Sequence, residues 1–456
     1  MVYLLHYKHM QIKLLSIFII GFSLFSNAQK AANSPYSSYG IGEYGGLDQA
    51  TFSGMGNNSI AFIDSVTLNY NNPSSYSFLG KGQPLFSTGI SARFSDFETA
   101  AGHYNTKYIG INHFAIGIPF AKNFGIAVGL KPFSRTGYDF RDSEKVGDDL
   151  LKYAYRGSGG TNELFGGFSA ALFKIKGHRL GIGANLGYVF GSTVNERISY
   201  INTTGKASGG VDNQGYTFNS INVDFGLNYL WQVSPTSWLT MGAVYTPNLK
   251  FAVKRDEYLA YAIDVANPNS YTYLYENKDK GTIAMPSTIG IGVNYVTRPK
   301  NTENRTKIYE LAINGEVKMM DWSSYETSFS GVTTSGNFEN TMRYGIGLQF
   351  VPQYDFLERT GGSKYINRIR YRAGFNYATL PIVVMSKQQT DMAVTAGLGF
   401  PIAIQRSSSS VNIGFTLGKR GDASANSINE SYLGINFGVT ISPGVNDRWF
   451  RRFKID

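Results

Sequence analysis

The chain of 456 residues contains no cysteine, which excludes disulfides, a thiolate nucleophile and a lipid-attachment cysteine. It is also poor in charge: Asp, Glu, Lys and Arg make up 16%, against about 25% in an ordinary soluble domain. Histidine is scarce. Past the N-terminal apolar run only His103, His113 and His178 remain, and nothing in their spacing suggests a metal site. No Ser stands in a nucleophile-elbow context. The Gly-rich "RGSGGTNE" lies between strand-like segments with no helix after it, so a phosphate-loop reading fails its own context. No enzyme, cofactor or metal is expected. The net charge is +10, but the Lys and Arg are scattered and form no basic cluster. No nucleic-acid partner is indicated, and contact with an anionic membrane surface is the milder reading.

Long hydrophobic runs are lacking too, with one exception at the start. Lys8 and Lys13 precede the apolar residues 14–25, and Ser26, Asn27 and Ala28 place small residues where a signal peptidase reads. About twelve apolar residues are too few to cross a bilayer core that needs roughly twenty. Residues 1–28 are therefore expected to be a cleaved signal peptide, with Gln29 as the mature start, +8 on the mature chain, and Met10 as an alternative initiator. Since no other window suits a spanning helix, a membrane protein of this composition crosses the bilayer as a closed barrel.

What the chain does have is glycine, 52 residues, with 31 Tyr and 31 Phe. From residue 85 onward they fall into a period of two, which sends successive side chains to opposite faces of a strand. In "INVDFGLNYLW" the residues Ile221, Val223, Phe225, Leu227, Tyr229 and Trp231 share one face, and Asn222, Asp224, Gly226 and Asn228 the other. Such segments centre on residues 86–97, 108–120, 124–133, 163–173, 180–190, 219–231, 238–245, 288–296, 308–317, 343–350, 369–377, 392–400, 411–417 and 432–441. Fourteen is an even number, as bacterial outer-membrane barrels require. The connections "AKN", "KIKGH" and "QVSPT" are short, while three–four, five–six, seven–eight and nine–ten read as long polar loops. That asymmetry favours an outer-membrane barrel over a soluble sandwich; only the connection at residues 351–364 breaks it. The fold expected is all-β: a 14-stranded antiparallel transmembrane barrel over residues 85–443, with a periplasmic tail at 444–456. Residues 29–84 are rich in Gly, Asn and Ser and do not alternate. They suit an N-terminal hatch in the lumen, because fourteen strands enclose more space than wall side chains fill.

Several stretches carry a family resemblance. "SSYGIGEYGGLDQATFSGMGNNSIAFIDSVTLNYNNPSSYSFL", with Asn72-Pro73-Ser74 where the family has Asn-Pro-Ala, resembles the hatch of the FadL/TodX outer-membrane transporters of hydrophobic compounds. "MPSTIGIGVNYV", the run around Asp321, Trp322 and Ser323, and the strand with Arg372, Gly374, Tyr377 and Pro381 resemble later family segments in the same order. The resemblance implies an outer-membrane location in a Gram-negative-type bacterium. It also implies diffusion-type uptake of long-chain fatty acids or other hydrophobic molecules, with a sideways exit at a kink in the third strand. The partners implied are a hydrophobic ligand and outer-membrane lipids. A rival role is open: FadL-like barrels also serve as docking subunits of protein export or assembly machines. The tail, or the extracellular loops, would then meet a protein partner; equally, Trp449, Phe450 and Phe453 with their Arg neighbours suit anchoring at the membrane interface.

Three groups of residues follow as candidates. Asn72, Pro73 and Ser74 are expected to fix a hatch turn, since Asn before Pro initiates turns. Gly129 and Pro132 are the lateral-gate candidates: Pro lacks the N–H that a ladder needs, so it either breaks the third strand or begins the loop after it. Arg93, Arg343, Arg370 and Arg372 face the lumen by parity, as do Asp224, Glu310 and Glu316. A guanidinium there either grips a fatty carboxylate or pairs with lumenal acids and the hatch.

Overall fold

The computed structural model describes residues 34–45, 49–80, 84–99, 102–121, 123–203, 206–299, 308–354, 364–402, 409–421 and 428–442. The expected signal peptide, its expected cleavage point and the expected tail at 444–456 lie outside them. Fourteen antiparallel strands close into one barrel. In chain order they are β1 (Leu85–Thr99), β2 (Gly102–Ala121), β3 (Phe124–Val146), β4 (Asp149–Ile175), β5 (His178–Thr203) and β6 (Lys206–Ser234). Then come β7 (Ser237–Thr246 with Lys250–Ala262), β8 (Tyr271–Ala284 with Thr288–Thr297), β9 (Glu310–Met320 with Glu326–Phe329) and β10 (Val332–Ser335 with Thr341–Val351). The last are β11 (Arg370–Val384), β12 (Lys387–Ile402), β13 (Ser409–Arg420) and β14 (Asn429–Ile441). Closure joins β14 to β1, from Asn429 opposite Glu98 to Ile441 opposite Phe86.

The alternation read in the sequence is the inside–outside division of the wall. On β6, Ile221, Phe225, Leu227 and Trp231 are exposed to the outside, while Asn222, Gly226 and Asn228 are buried facing the lumen. Apolar side chains outside and amides inside invert the order of a soluble protein and match a barrel set in lipid. Among the described residues no helix is long and apolar enough to cross a membrane.

The long loops expected after the third, fifth, seventh and ninth segments are instead largely strands. β3 and β4 stay paired to Val146 and Asp149, turning at Gly147 with φ +65, and β5 and β6 stay paired to Thr203 and Lys206. β7 and β8 stay paired to Ala262 and Tyr271, and β9 and β10 meet in a tight turn between Phe329 and Val332. Beyond the apolar belt no lipid face persists: the β3–β4 tip is largely exposed, and Ala154, Ile198, Val211 and Ala262 make only a small buried cluster across β4 to β7. Hydrophobic alternation therefore fades while the hydrogen-bonded ladder continues, and sequence periodicity loses the strand where the backbone does not.

A transverse crease crosses β7 to β11. Its interruptions line up from strand to strand: the Met285 amide donates to Leu249 O (2.9 Å), Asp321 N to Ser287 O (3.0 Å) and Glu339 N to Pro381 O (3.0 Å). Here Pro286, Asp321-Trp322-Ser323 and Pro381, residues of the family-like segments, stand where the ladder is broken or shifted. The crease turns Met285, Trp322 and Tyr325 inward, where all three are buried.

Residues 34–45 and 49–80 pack within the barrel, and glycines on the inner wall let their backbone come close. A Cβ at Gly183 would lie 2.6 Å from the carbonyl carbon of Pro73, one at Gly242 would lie 2.4 Å from Ile60 O, and one at Gly374 would lie 2.3 Å from Gly56 N. These contacts are backbone on backbone, so no side chain can swing aside to relieve them. Gly183→Val should therefore force the segment around Pro73 off the wall, costing about 1–3 kcal/mol. Heat-modifiable gel migration should report a lower midpoint, and planar-bilayer recording a larger conductance. A variant matching the parent in both would mean that the segment does not rest against this wall.

Candidate functional site in the plugged lumen

Asn72 is the anchor of the second half of the plug. It caps the short 3-10 helix Pro73–Phe78, its Oδ1 accepting from Ser74 N (3.1 Å) and Ser74 Oγ (2.7 Å). Its Nδ2 donates to Ile60 O (2.7 Å) and to Leu227 O of β6 (3.1 Å). The wall returns the contact, with Asn228 Nδ2 donating to Ser74 Oγ and Ser169 Oγ to Ser74 O, both at 2.7 Å. Proline supplies the fixed φ and asparagine the cap, so the turn is legible in the sequence; its partners on β4 and β6 are not.

The lumenal arginines each have a protein partner. Arg93 pairs with Glu430 (2.8 Å) and stacks on Tyr432 (3.8 Å to the ring centroid). Arg343 bonds Glu316 (2.9 Å) and Gly56 O (2.7 Å), while Glu316 also accepts the amides of Ser59 (2.7 Å) and Ile60 (3.0 Å). Arg370 lies 3.6 Å from Asp64, and buried Arg372 donates to Gln349 and Asn412, each at 2.8 Å. These groups bind the plug to the wall and the wall strands to one another.

A cavity of about 490 Å³ remains beside the plug. Its lining is mixed: the charged Glu43, Lys131, Glu163, Asp224, Lys318 and Arg420 stand among aromatic and apolar side chains such as Tyr70, Phe133, Trp322, Phe338 and Ile382. Lys131 pairs with Glu163 at 3.2 Å, and Asp224 accepts from Thr246 Oγ1 at 2.6 Å. On one side the cavity abuts a packed apolar cluster. Ile41 of the plug packs with Phe133, Phe218, Phe251, Trp322 and Phe329, all buried. Among the described residues no cluster of His, Asp or Glu is arranged to hold a metal ion.

At the gate candidates, β3 runs through Pro132 with a register shift against β4 between Pro132 and Ser134. Its ladder to β2 stops just below, spanning Ala121–Phe124 to Phe114–Leu130. Gly129 lies inside that last stretch, where a Cβ would meet Phe114 O at 2.7 Å. Above the stop, residues 133, 134 and 136–138 are all buried in near succession, which a wall strand with one lipid face does not show. β3 here enters the lumen and meets the plug.

What it meets is residues 34–45. Glu43 and Tyr44 form a two-residue strand antiparallel to Arg135 and Ser134. Glu43 is salt-bridged to Arg420, which also holds Asp391 (3.1 Å) and reaches Glu430 (3.7 Å). Burial opposes the charge on Glu43, but Arg420, Arg93 and Arg135 outweigh it and hold the carboxyl down at about 2, from an ordinary 4.5. Sequence reasoning did not find this strap. A clue was present in Glu43 as a lone acid among glycines, but nothing local points to Arg420.

The comparisons can be set beside this geometry. A family model described as BamG matches residues 10–456. The chain belongs to the BamG family. No curated protein matches it. Solved structures with the same fold include a FadL homologue of Pseudomonas aeruginosa at 11% identity and TM-score 0.55, covering 88% of this chain and 99% of that one. The Ralstonia pickettii toluene transporter TbuX follows at 14% and 0.53, covering 87% and 98%. The Pseudomonas putida toluene transporter TodX stands at 14% and 0.52, covering 88% and 99%. At such identities the likeness to FadL and TodX is one of fold, that of outer-membrane barrels; two of the three are named toluene transporters.

The depressed carboxyl sets a pH dependence for the strap. Because the folded value lies below the unfolded one, the stabilisation is present above about pH 4.5 and is lost as pH falls toward 2. The charged groups around it are Arg93 on β1, Arg135 on β3 and Arg420 on β13, with Asp391 and Glu430 sharing Arg420. Amide hydrogen exchange corrected for intrinsic rates should show residues 34–45 losing protection across that range before residues 49–80 do, and Glu43→Gln should give the exposed behaviour already at neutral pH.

Proposed function

We propose that this chain is a docking or structural subunit of an outer-membrane protein export or assembly machine, built on a transporter fold whose lumen has been closed. The observation that carries this reading is the division of the lumen. Much of the apolar space is filled by the chain's own Phe, Trp and Ile side chains, and the space left beside the plug has charged side chains set among its apolar ones. A hydrocarbon or fatty tail gains from leaving water only where it meets apolar surface, and the open cavity interrupts that surface with Glu43, Lys131, Glu163, Asp224, Lys318 and Arg420. The family whose model spans the chain carries no transporter name and leans the same way. The tall hairpins β3–β4 and β5–β6 rise beyond the apolar belt and offer a partner rigid, hydrogen-bonded surface.

Uptake of hydrophobic molecules is the second reading. It is favoured by the end of the β2–β3 ladder at Leu130, just before Lys131 and Pro132, and by the toluene transporters of like fold. A hydrophobic ligand would leave there for the lipid.

Two measurements separate the readings. A tagged full-length chain extracted from native outer membranes in mild detergent should bring stoichiometric protein partners with it, and its deletion should leave uptake of labelled oleate and toluene unchanged. Uptake lost on deletion, with no partner recovered, would establish transport instead. In that case Pro132→Val, which restores a ladder donor and suits a strand, should slow uptake several-fold while leaving the barrel as stable as the parent or more so.

A further inference from the structure

The two halves of the plug are held in different ways. Residues 49–80 lie in glycine grooves, backbone on backbone, and are tied further by Glu316, Arg343 and Arg370. Residues 34–45 sit instead on a strand edge. Where β2 leaves β3 above Leu130, the strap takes its place: Gly45 N donates to Phe133 O (3.2 Å) and Ser34 N to Gly137 O (2.8 Å), with Glu43 and Tyr44 in register between them. Ser37 Oγ completes the pairing, donating to Gly137 O (2.9 Å) and accepting from Gly137 N (3.0 Å).

The strap is a poor strand. Gly40, Gly42 and Gly45 take φ of +59, +94 and +103, so only two residues form a ladder where a regular extended chain would form more. Its side chains nonetheless enter two distinct sockets. The Glu43 carboxylate meets Arg420, with Arg93 and Arg135 close by. The Tyr44 ring packs edge-on against Phe133 (5.1 Å) and Trp322 (5.8 Å). The cavity borders Glu43, Tyr44 and Gly45, so space exists beside the seat.

We propose that this edge of β3 is an acceptor for an extended peptide, filled in the structure by the chain's own residues 34–45. The ligand it takes in exchange is an extended segment of a partner protein with an acidic residue directly followed by an aromatic one. Strand addition supplies the main-chain bonds, and the two sockets supply the selectivity. The idea deepens the docking reading but is tested apart from it, because peptide exchange and partner recovery can each fail alone.

The probe is a synthetic peptide of residues 40–46, GIGEYGG, carrying a photoreactive group, added to the purified full-length protein. It should label β3 saturably, and peptides bearing E43Q or Y44A should label about tenfold less. The absence of cysteine allows a clean lock: Tyr44→Cys with Ser134→Cys joins register partners. Oxidation should suppress labelling about tenfold, and reduction should raise it above the parent. Should the pair fail to fold, Glu43→Gln in the full-length chain serves instead, and it should increase labelling. Labelling indifferent to the lock, absent from the reduced pair, or unchanged by Glu43→Gln overturns the proposal.

Discussion

The interior of this barrel depends on one close approach, plug backbone against glycine. A fourteen-stranded wall encloses more volume than its own side chains fill, and the segment that fills it brings backbone amides and carbonyls that need partners without a ladder. Glycine on the wall removes the Cβ that would hold the two backbones apart. Amide side chains then reach across the short remaining distance: Asn72 to Ile60 O and Leu227 O, and Asn185 to Tyr70 O at 3.2 Å. Gly weakens a strand by roughly 0.5–1 kcal/mol relative to Ala. The hydrogen bonds and packing made possible inside offset that weakness, so the glycines belong to the plug's energetics as much as to the wall's.

Charge follows from the same confinement. A guanidinium or carboxylate taken out of water must be paired or it destabilises the fold by several kcal/mol. The lumen meets this demand with short, closed sets: Glu316 with Arg343 and two plug amides, Glu430 with Arg93, Glu43 and Asp391 with Arg420. Each set joins elements distant in the chain. That makes the cations at residues 93, 343, 370 and 372 ties within the structure.

How far this could be read beforehand depended on whether the signal was local. The fourteen segments were legible because lipid on one side and a polar lumen on the other impose a period of two over each crossing, as Ile221 to Trp231 show. The upper halves of β3 to β6 were not, since no lipid face imposes the alternation there and what is buried is a small local cluster around Ile198 and Val211. Asn72-Pro73-Ser74 announced a turn by its own chemistry. The crease across β7 to β11 left Pro247, Pro286 and Pro381 as traces, but their alignment is a matter of register between strands. The pairing of Glu43 with Arg420 joins the two ends of the chain, and no periodicity encodes it.

The two ways of holding the plug imply an order of events. Close packing of backbone against glycine does not change with pH or salt, whereas a cluster of ion pairs weakens as carboxylates protonate. Residues 49–80 combine that packing with bonds to Glu316 and Arg343 and are the more firmly held part, while residues 34–45, with a ladder of only two residues and three glycines at positive φ, have the lower opening free energy. Opening the strap uncovers β3 just where β2 has already parted from it, above Leu130. Strap and seam thus act on the same strand: the wall can lose its cover there without losing its closure, because β4 stays paired to β3 along its whole length. Whatever enters the seam, a partner's strand or a hydrophobic solute, meets the strap first, and the Glu43–Arg420 pair must part before it enters.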